Sequence, residues 1–101
     1  MASLGNELQQ TIRNLEKLRD SQDPPSNDVI EKLDVLYDQQ IDLIEAAINK
    51  NTEKYQKATA SMQEAAKKTK EAIDDLANLE HAIEKVANAI GKVTELLAKV
   101  A

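Results

Sequence analysis

The chain has 101 residues, 42% apolar and 31% charged, with a net charge of −5, two tyrosines as its only aromatic residues and no cysteine. The absence of cysteine excludes disulfides, thiolate metal sites and a thiol nucleophile. The apolar fraction is too high for a disordered chain, and the near absence of aromatic residues argues against a sheet sandwich.

Only two glycines and two prolines interrupt a sequence otherwise dominated by helix formers. The fold class expected is therefore all-α. A single helical domain over 1–101 is predicted, with a helix over 3–21, a Pro-Pro turn over 21–26 and further helices within 27–100.

The first helix starts after Ser3, an N-cap residue, and presents Leu4, Leu8, Ile12, Leu15 and Leu18 on one face. It ends near Ser21. Two consecutive prolines, Pro24 and Pro25, cannot continue a helix, and Pro24 pushes Asp23 towards extended geometry. Ser26 or Asn27 then caps the second helix, with Asp28 and Glu31 near the positive end of its dipole.

From Ile30 onward two apolar rows follow a heptad register. One is Ile30, Tyr37, Ile44, Asn51, Ala58, Ala65, Ala72, Leu79, Val86, Val93 and Val100; the other runs Ile41, Ile48, Tyr55, Met62, Thr69, Leu76, Ile83, Ile90 and Leu97. A seam of that length must be buried against other helices. Residues 29–48 also carry a flank of Val29, Leu33, Leu36, Leu43 and Ala47, so this helix needs two neighbours: the first helix and the C-terminal one. Between Tyr55 and Ile73 the seam thins to small side chains, which favour close helix approach but contribute little burial each.

Three topologies satisfy this pattern. The preferred one is an antiparallel coiled-coil hairpin that reverses near Glu64–Lys70, with the short first helix packed on it, giving three helices. Folding about residue 65 sets Glu31, Asp38 and Glu45 level with Lys99, Lys92 and Lys85. A four-helix bundle turns instead at Asn49–Thr52, where Asn serves as a C-cap and Thr52 as an N-cap, and again near 69–75. One long dimerising helix over 27–100 would span about 110 Å.

Charge is unevenly placed. Residues 27–48 hold six acids and one lysine, whereas 49–70 hold six lysines and two acids. The lysine-rich segment has neither the arginine nor the interleaved aromatics of a nucleic-acid surface, so no nucleic acid is expected as partner.

Few residues suggest chemistry. His81 is the only histidine and has Glu84 at i+3, at best two ligands; the metalloprotease motif needs a second histidine and a di-iron bundle needs Glu-x-x-His twice. Asp34, Asp38 and Asp42 share one helix face, which cannot by itself surround a hard cation. Asp34, Asn51 and Thr69 fall on the seam itself; partial exposure accounts for them more simply than a role in fixing register. Gly91 stands either at a close helix crossing or at a plain weak spot.

No metal and no cofactor is implied. The function expected is a non-enzymatic helical interaction or scaffold module that self-associates through its seams, with a homo-oligomer, and a dimer in particular, as the favoured state. Leu36, Leu43, Ile44, Leu79, Ile83, Val86, Ile90, Val93 and Leu97 are the expected assembly residues. The alternative is a small accessory or export-linked protein that binds an acidic partner through the basic 50–70 segment, using Lys54, Lys57, Lys67, Lys68 and Lys70.

No run approaches the ~18 apolar residues of a membrane span. The balanced charges of the C-terminal helix argue against a membrane surface. The N-terminus lacks a secretory layout, so a cytoplasmic location is the expectation, with a signal-less export route equally compatible.

Overall fold

The computed structural model describes residues 3–22, 24, 26–46 and 48–100, the last two by their backbone alone. Four helices form: α1 (Leu4–Ser21), α2 (Asn27–Glu45), α3 (Glu53–Asp74) and α4 (Leu79–Val100), with a single 3₁₀ turn, Leu76–Asn78, before the last. The chain is an all-α bundle, 40 Å in its longest dimension.

Three of the helical segments start where capping side chains satisfy free backbone groups. Ser3 accepts from the Asn6 amide at 3.2 Å and starts α1. Ser26 stands at the N-cap of α2 but offers no side-chain hydrogen bond; its own amide donates to Gln22 Oε1 at 3.3 Å. Thr52 accepts from the Tyr55 amide at 3.3 Å and starts α3. Asn49 organises the turn ahead of it, accepting from the Asn51 amide at 2.9 Å through its side chain and from the Thr52 hydroxyl at 3.0 Å through its carbonyl. Asp75 ends α3 and accepts from the Ala77 amide at 3.0 Å.

The reversal expected near Glu64–Lys70 does not occur. Those residues sit inside α3, where nothing breaks the helix and Ala65, Ala66, Thr69 and Ala72 continue its buried face. The four-helix alternative is the one realised, with turns at 46–52 and 75–78; the second falls later than the expected 69–75, since α3 continues to Asp74. Asn49 shapes the first of these as a turn residue, and the C-cap of α2 is Ala46. Asp23, Pro25, Ala47 and the side chains of Lys99 and Val100 lie outside the described residues.

Each helix packs on two others, α1 on α2 and α3, and α4 on α2 and α3. The ring order is thus α1–α2–α4–α3, and the 46–52 connection crosses the end of the bundle along a diagonal. Seven residues reach up to about 24 Å when extended, more than the roughly 14 Å diagonal of a square of helices spaced 8–10 Å apart.

Alternate helices in the chain run parallel. Along α1 and α3, Leu4 meets Tyr55, Thr11 meets Met62, and Asn14 meets Ala66 and Thr69. Along α2 and α4, Gln39 meets Ile90 and Thr94. The antiparallel pairing of Asp38 with Lys92 and Glu45 with Lys85 therefore does not form, because α2 and α4 point the same way.

The core holds the predicted α1 stripe whole, together with Val29, Leu33 and Leu36 of α2. The thin stretch of α3 is fully used: Ala58, Met62, Ala65, Thr69 and Ala72 are all buried. On α4 the deepest row is Ala82, Val86, Ala89, Val93 and Leu96, while Leu79, Ile83, Ile90 and Leu97 pack at its margin. Alanines on both α3 and α4 let these two helices approach closely, which trades area per side chain for contact density.

Candidate functional site

α2 carries two apolar rows, and the bundle covers one of them. Val29, Leu33 and Leu36 point into the core. About a quarter turn away, Ile30, Tyr37, Ile41 and Ile44 follow each other at spacings of seven, four and three, which keeps them on one face. Ile30 is 37% exposed, Ile41 56% and Ile44 80%. Exposed aliphatic residues are ordinary one at a time; a row of them on a helix whose core face is already complete is not.

Tyr37 is the polar member of this row. It is half-buried, and its hydroxyl donates to a Glu16 carboxylate oxygen at 2.6 Å, tying α2 to α1. The hydrogen bond to Glu16 pushes the Tyr37 phenol above its ordinary range, with burial and the negative charge of Glu16 adding to the effect. Arg19, itself held by Asp20 at 3.1 Å, acts weakly in the opposite direction.

The row ends at a cavity of about 270 Å³ at the end of the bundle crossed by the diagonal connection. Leu4, Leu43, Ile44, Ile48 and Tyr55 give it apolar walls, and Lys50 stands at its edge. The Tyr55 hydroxyl accepts from the Leu4 amide at 3.1 Å, one of the free donors of the first turn of α1.

The acids of α2 flank the apolar row. Asp34, Asp38 and Asp42 are all exposed, on the outer side of the helix. On the far side of α1 lies an open groove of about 570 Å³ between α1 and α3, lined among others by Lys17, Lys67 and Lys70, by the acids Glu7 and Asp74, and by Ala66 and Ile73. These three lysines have no carboxylate within ion-pair distance among the described residues.

The expected assembly residues divide by burial. Leu36, Val86 and Val93 are fully buried in this chain's own core, and Leu43, Leu79, Ile83, Ile90 and Leu97 are half-buried against it. Ile44 alone stands open. The expected partner lysines divide similarly. Lys54 reaches Glu95 at 4.0 Å, Lys57 pairs with Glu53 at 2.9 Å, and Lys68 with Glu71 at 3.6 Å. The Lys57 ammonium holds the Glu53 carboxyl below its ordinary value, and Lys57 is raised in return. Lys67 and Lys70 remain available, joined by Lys17, which a reading confined to the basic segment could not supply.

Three buried polar residues carry no sequence-level signal beyond their place on an apolar stripe. Asn14 donates through Nδ2 to the Ala66 carbonyl at 3.0 Å and the Thr69 hydroxyl at 3.1 Å. Thr11 donates to the Glu7 backbone carbonyl at 2.9 Å and lies 3.4 Å from the Met62 carbonyl. Gln39 donates to the Ile90 carbonyl and the Thr94 hydroxyl, both at 3.1 Å, while its buried Oε1 has no partner. Thr69 is buried as well, bonding to the Ala65 and Ala66 carbonyls; Asp34 and Asn51 are exposed.

His81 lies on the outer face of α4, exposed. Among the described residues no three His, Asp or Glu side chains converge on a point that could hold a metal ion, and no helix is long and apolar enough to cross a membrane. Comparison of the chain with protein-family models, curated proteins and solved structures finds no match.

Proposed function

We propose that this chain is a non-enzymatic helical interaction module that self-associates through the outward apolar row of α2. The observation that carries this reading is the exposure of Ile44, with Ile41 and Ile30 above it on the same face. The core row of α2 is complete without them, so their burial awaits a surface outside the chain. Helix-against-surface docking through residues spaced by three, four and seven is a recurrent mode of protein recognition. A second copy, forming a dimer, is the partner favoured by this reading.

The lysines of the α1–α3 groove support a second reading, an acidic partner held by Lys17, Lys67 and Lys70. The two readings use different faces of the bundle.

Sedimentation equilibrium of the wild type and of the double variant Ile41→Lys, Ile44→Lys tests the first. Both side chains are exposed, so the variant is expected to keep its helical circular dichroism while losing self-association. A wild type that stays monomeric at every attainable concentration, or a lysine variant that associates as the wild type does, refutes it.

A further inference from the structure

Resting on that reading, we infer that the surface receiving α2 is the lysine groove between α1 and α3 of a second copy. Charge decides between the candidate surfaces. A symmetric contact of α2 with α2 would bring together two helices that each carry Asp34, Asp38 and Asp42 exposed beside the row, and like charges facing each other oppose association. The outer face of α4 is mixed, with Glu80, Glu84, Lys92 and Glu95, and offers no net complement. The α1–α3 groove carries a net positive charge, its three lysines outnumbering Glu7 and Asp74.

Its geometry suits an acidic helix. Asn14 lies level with Ala66 and Thr69, so Lys17, three residues further along the parallel helix α1, stands near Lys70. Lys67 follows one turn away. The three ammonium groups therefore line both walls of a groove whose lining also includes Ala66 and the exposed Ile73, with Glu7 and Asp74 the acids beside them. Asp34, Asp38 and Asp42 repeat at one-turn intervals over about 12 Å, beside the isoleucines that the groove's apolar lining would cover. α2 and α3 lie on a diagonal of the ring, so the α2 acids of one molecule do not reach the groove of that molecule, and Glu7 and Asp74, which share the groove, make no ion pair with its lysines. The α2 acids of a second molecule can reach those lysines. Made reciprocally about a two-fold axis, the contact closes a dimer in which both grooves are filled.

The test exchanges the charges. Variant one carries Asp34→Lys, Asp38→Lys and Asp42→Lys; variant two carries Lys17→Glu, Lys67→Glu and Lys70→Glu. All six positions are exposed, and circular dichroism checks that both variants fold. Each variant alone presents like charge to like, and its self-association is expected to weaken about tenfold or more. An equimolar mixture restores it, because each variant's α2 then meets the other's groove. Raising the salt from about 0.05 to about 0.5 M weakens the wild-type dimer in the same direction.

Reversals that leave association unchanged, or a mixture that fails to restore it, overturn the assignment of the groove. If the Ile41→Lys, Ile44→Lys variant is nonetheless monomeric, the α2 row stands as an interface and only its partner surface is wrong. A wild type that never associates overturns both and leaves the groove to a different acidic protein.

Discussion

α2 and α3 solve opposite problems. α3 is poor in large apolar side chains, yet every small residue on its inner face is buried, and with α4 it forms the most closely packed pair in the bundle. α2 carries more aliphatic surface than the fold consumes and leaves Ile41 and Ile44 largely in water. Burial therefore does not follow hydrophobicity along this chain. It follows how closely two helices approach, which alanine permits and isoleucine opposes. The surplus on α2 is what remains once close packing has been satisfied elsewhere.

The comparison can be broken most directly by truncating α2 on each of its two faces. Leu36→Ala removes a fully buried side chain and is expected to cost about 2–5 kcal/mol. Ile44→Ala, measured in the same urea titration at a concentration where the chain is monomeric, is expected to change stability by no more than about 0.5 kcal/mol. A large loss at Ile44 would mean that the row is already covered within the chain.

A second contrast concerns how the parallel pairs are held in register. Between α1 and α3, Asn14 bridges a carbonyl and a hydroxyl, so Asn14→Ala removes both inter-helix bonds from a buried place, although the Ala66 carbonyl keeps the Thr69 hydroxyl as a donor. The expected cost is about 1–3 kcal/mol. Between α2 and α4, Gln39 makes comparable bonds but buries an unpaired Oε1. Gln39→Leu removes the liability together with the bonds, and is expected to stay within about 1 kcal/mol of the wild type. Equal losses at both sites would show the two polar bridges to be equivalent.

Much of this architecture can be read from the residues. Leu4, Leu8, Ile12, Leu15 and Leu18 announce α1, and Pro24 and Pro25 its end; the double row on α2 suggests two neighbours, and α1 and α4 both pack on α2 yet together fully cover only the row of Val29, Leu33 and Leu36. The choice between a turn at 64–70 and one at 49–52 rested on weak signals. A charge coincidence among exposed side chains, each pair worth about 0–1 kcal/mol, competed with the turn chemistry of Asn49 and Thr52, and local backbone satisfaction prevailed. On α2 the register misleads: it makes Ile30, Tyr37, Ile41 and Ile44 the buried seam and Val29, Leu33 and Leu36 a flank, whereas those flank residues fill the core and the three isoleucines are exposed. The lysine groove was only half legible: Lys67 and Lys70 belong to the basic segment, but Lys17 joins them only through the parallel pairing of α1 with α3.

Gly91 separates fold from function on α4. It lies in the helix interior, exposed, and a Cβ built there would meet nothing within 4 Å. No crossing within the chain requires it. Gly91→Ala is therefore expected to raise stability by about 1 kcal/mol through helix propensity alone, read from the urea midpoint at unchanged slope. A destabilised variant would reveal an unseen steric demand at that turn.

The smallest effect is the sharpest probe of how the α2 row is anchored. Tyr37 donates to Glu16 as a neutral phenol, and the folded state holds that proton more tightly than the unfolded chain does. The stability this contributes is fully present below the unfolded value near 10 and is lost as pH rises through the higher folded one. Because the pair is only half-buried, Tyr37→Phe is expected to cost less than about 1 kcal/mol at neutral pH. Urea midpoints followed from pH 7 upward should show the gap between wild type and variant closing only above pH ~10, since the lysine titrations common to both chains cancel in the difference. A gap that does not change with pH would mean that the hydroxyl donates to water rather than to Glu16, and that α2 is held to α1 by its core row alone.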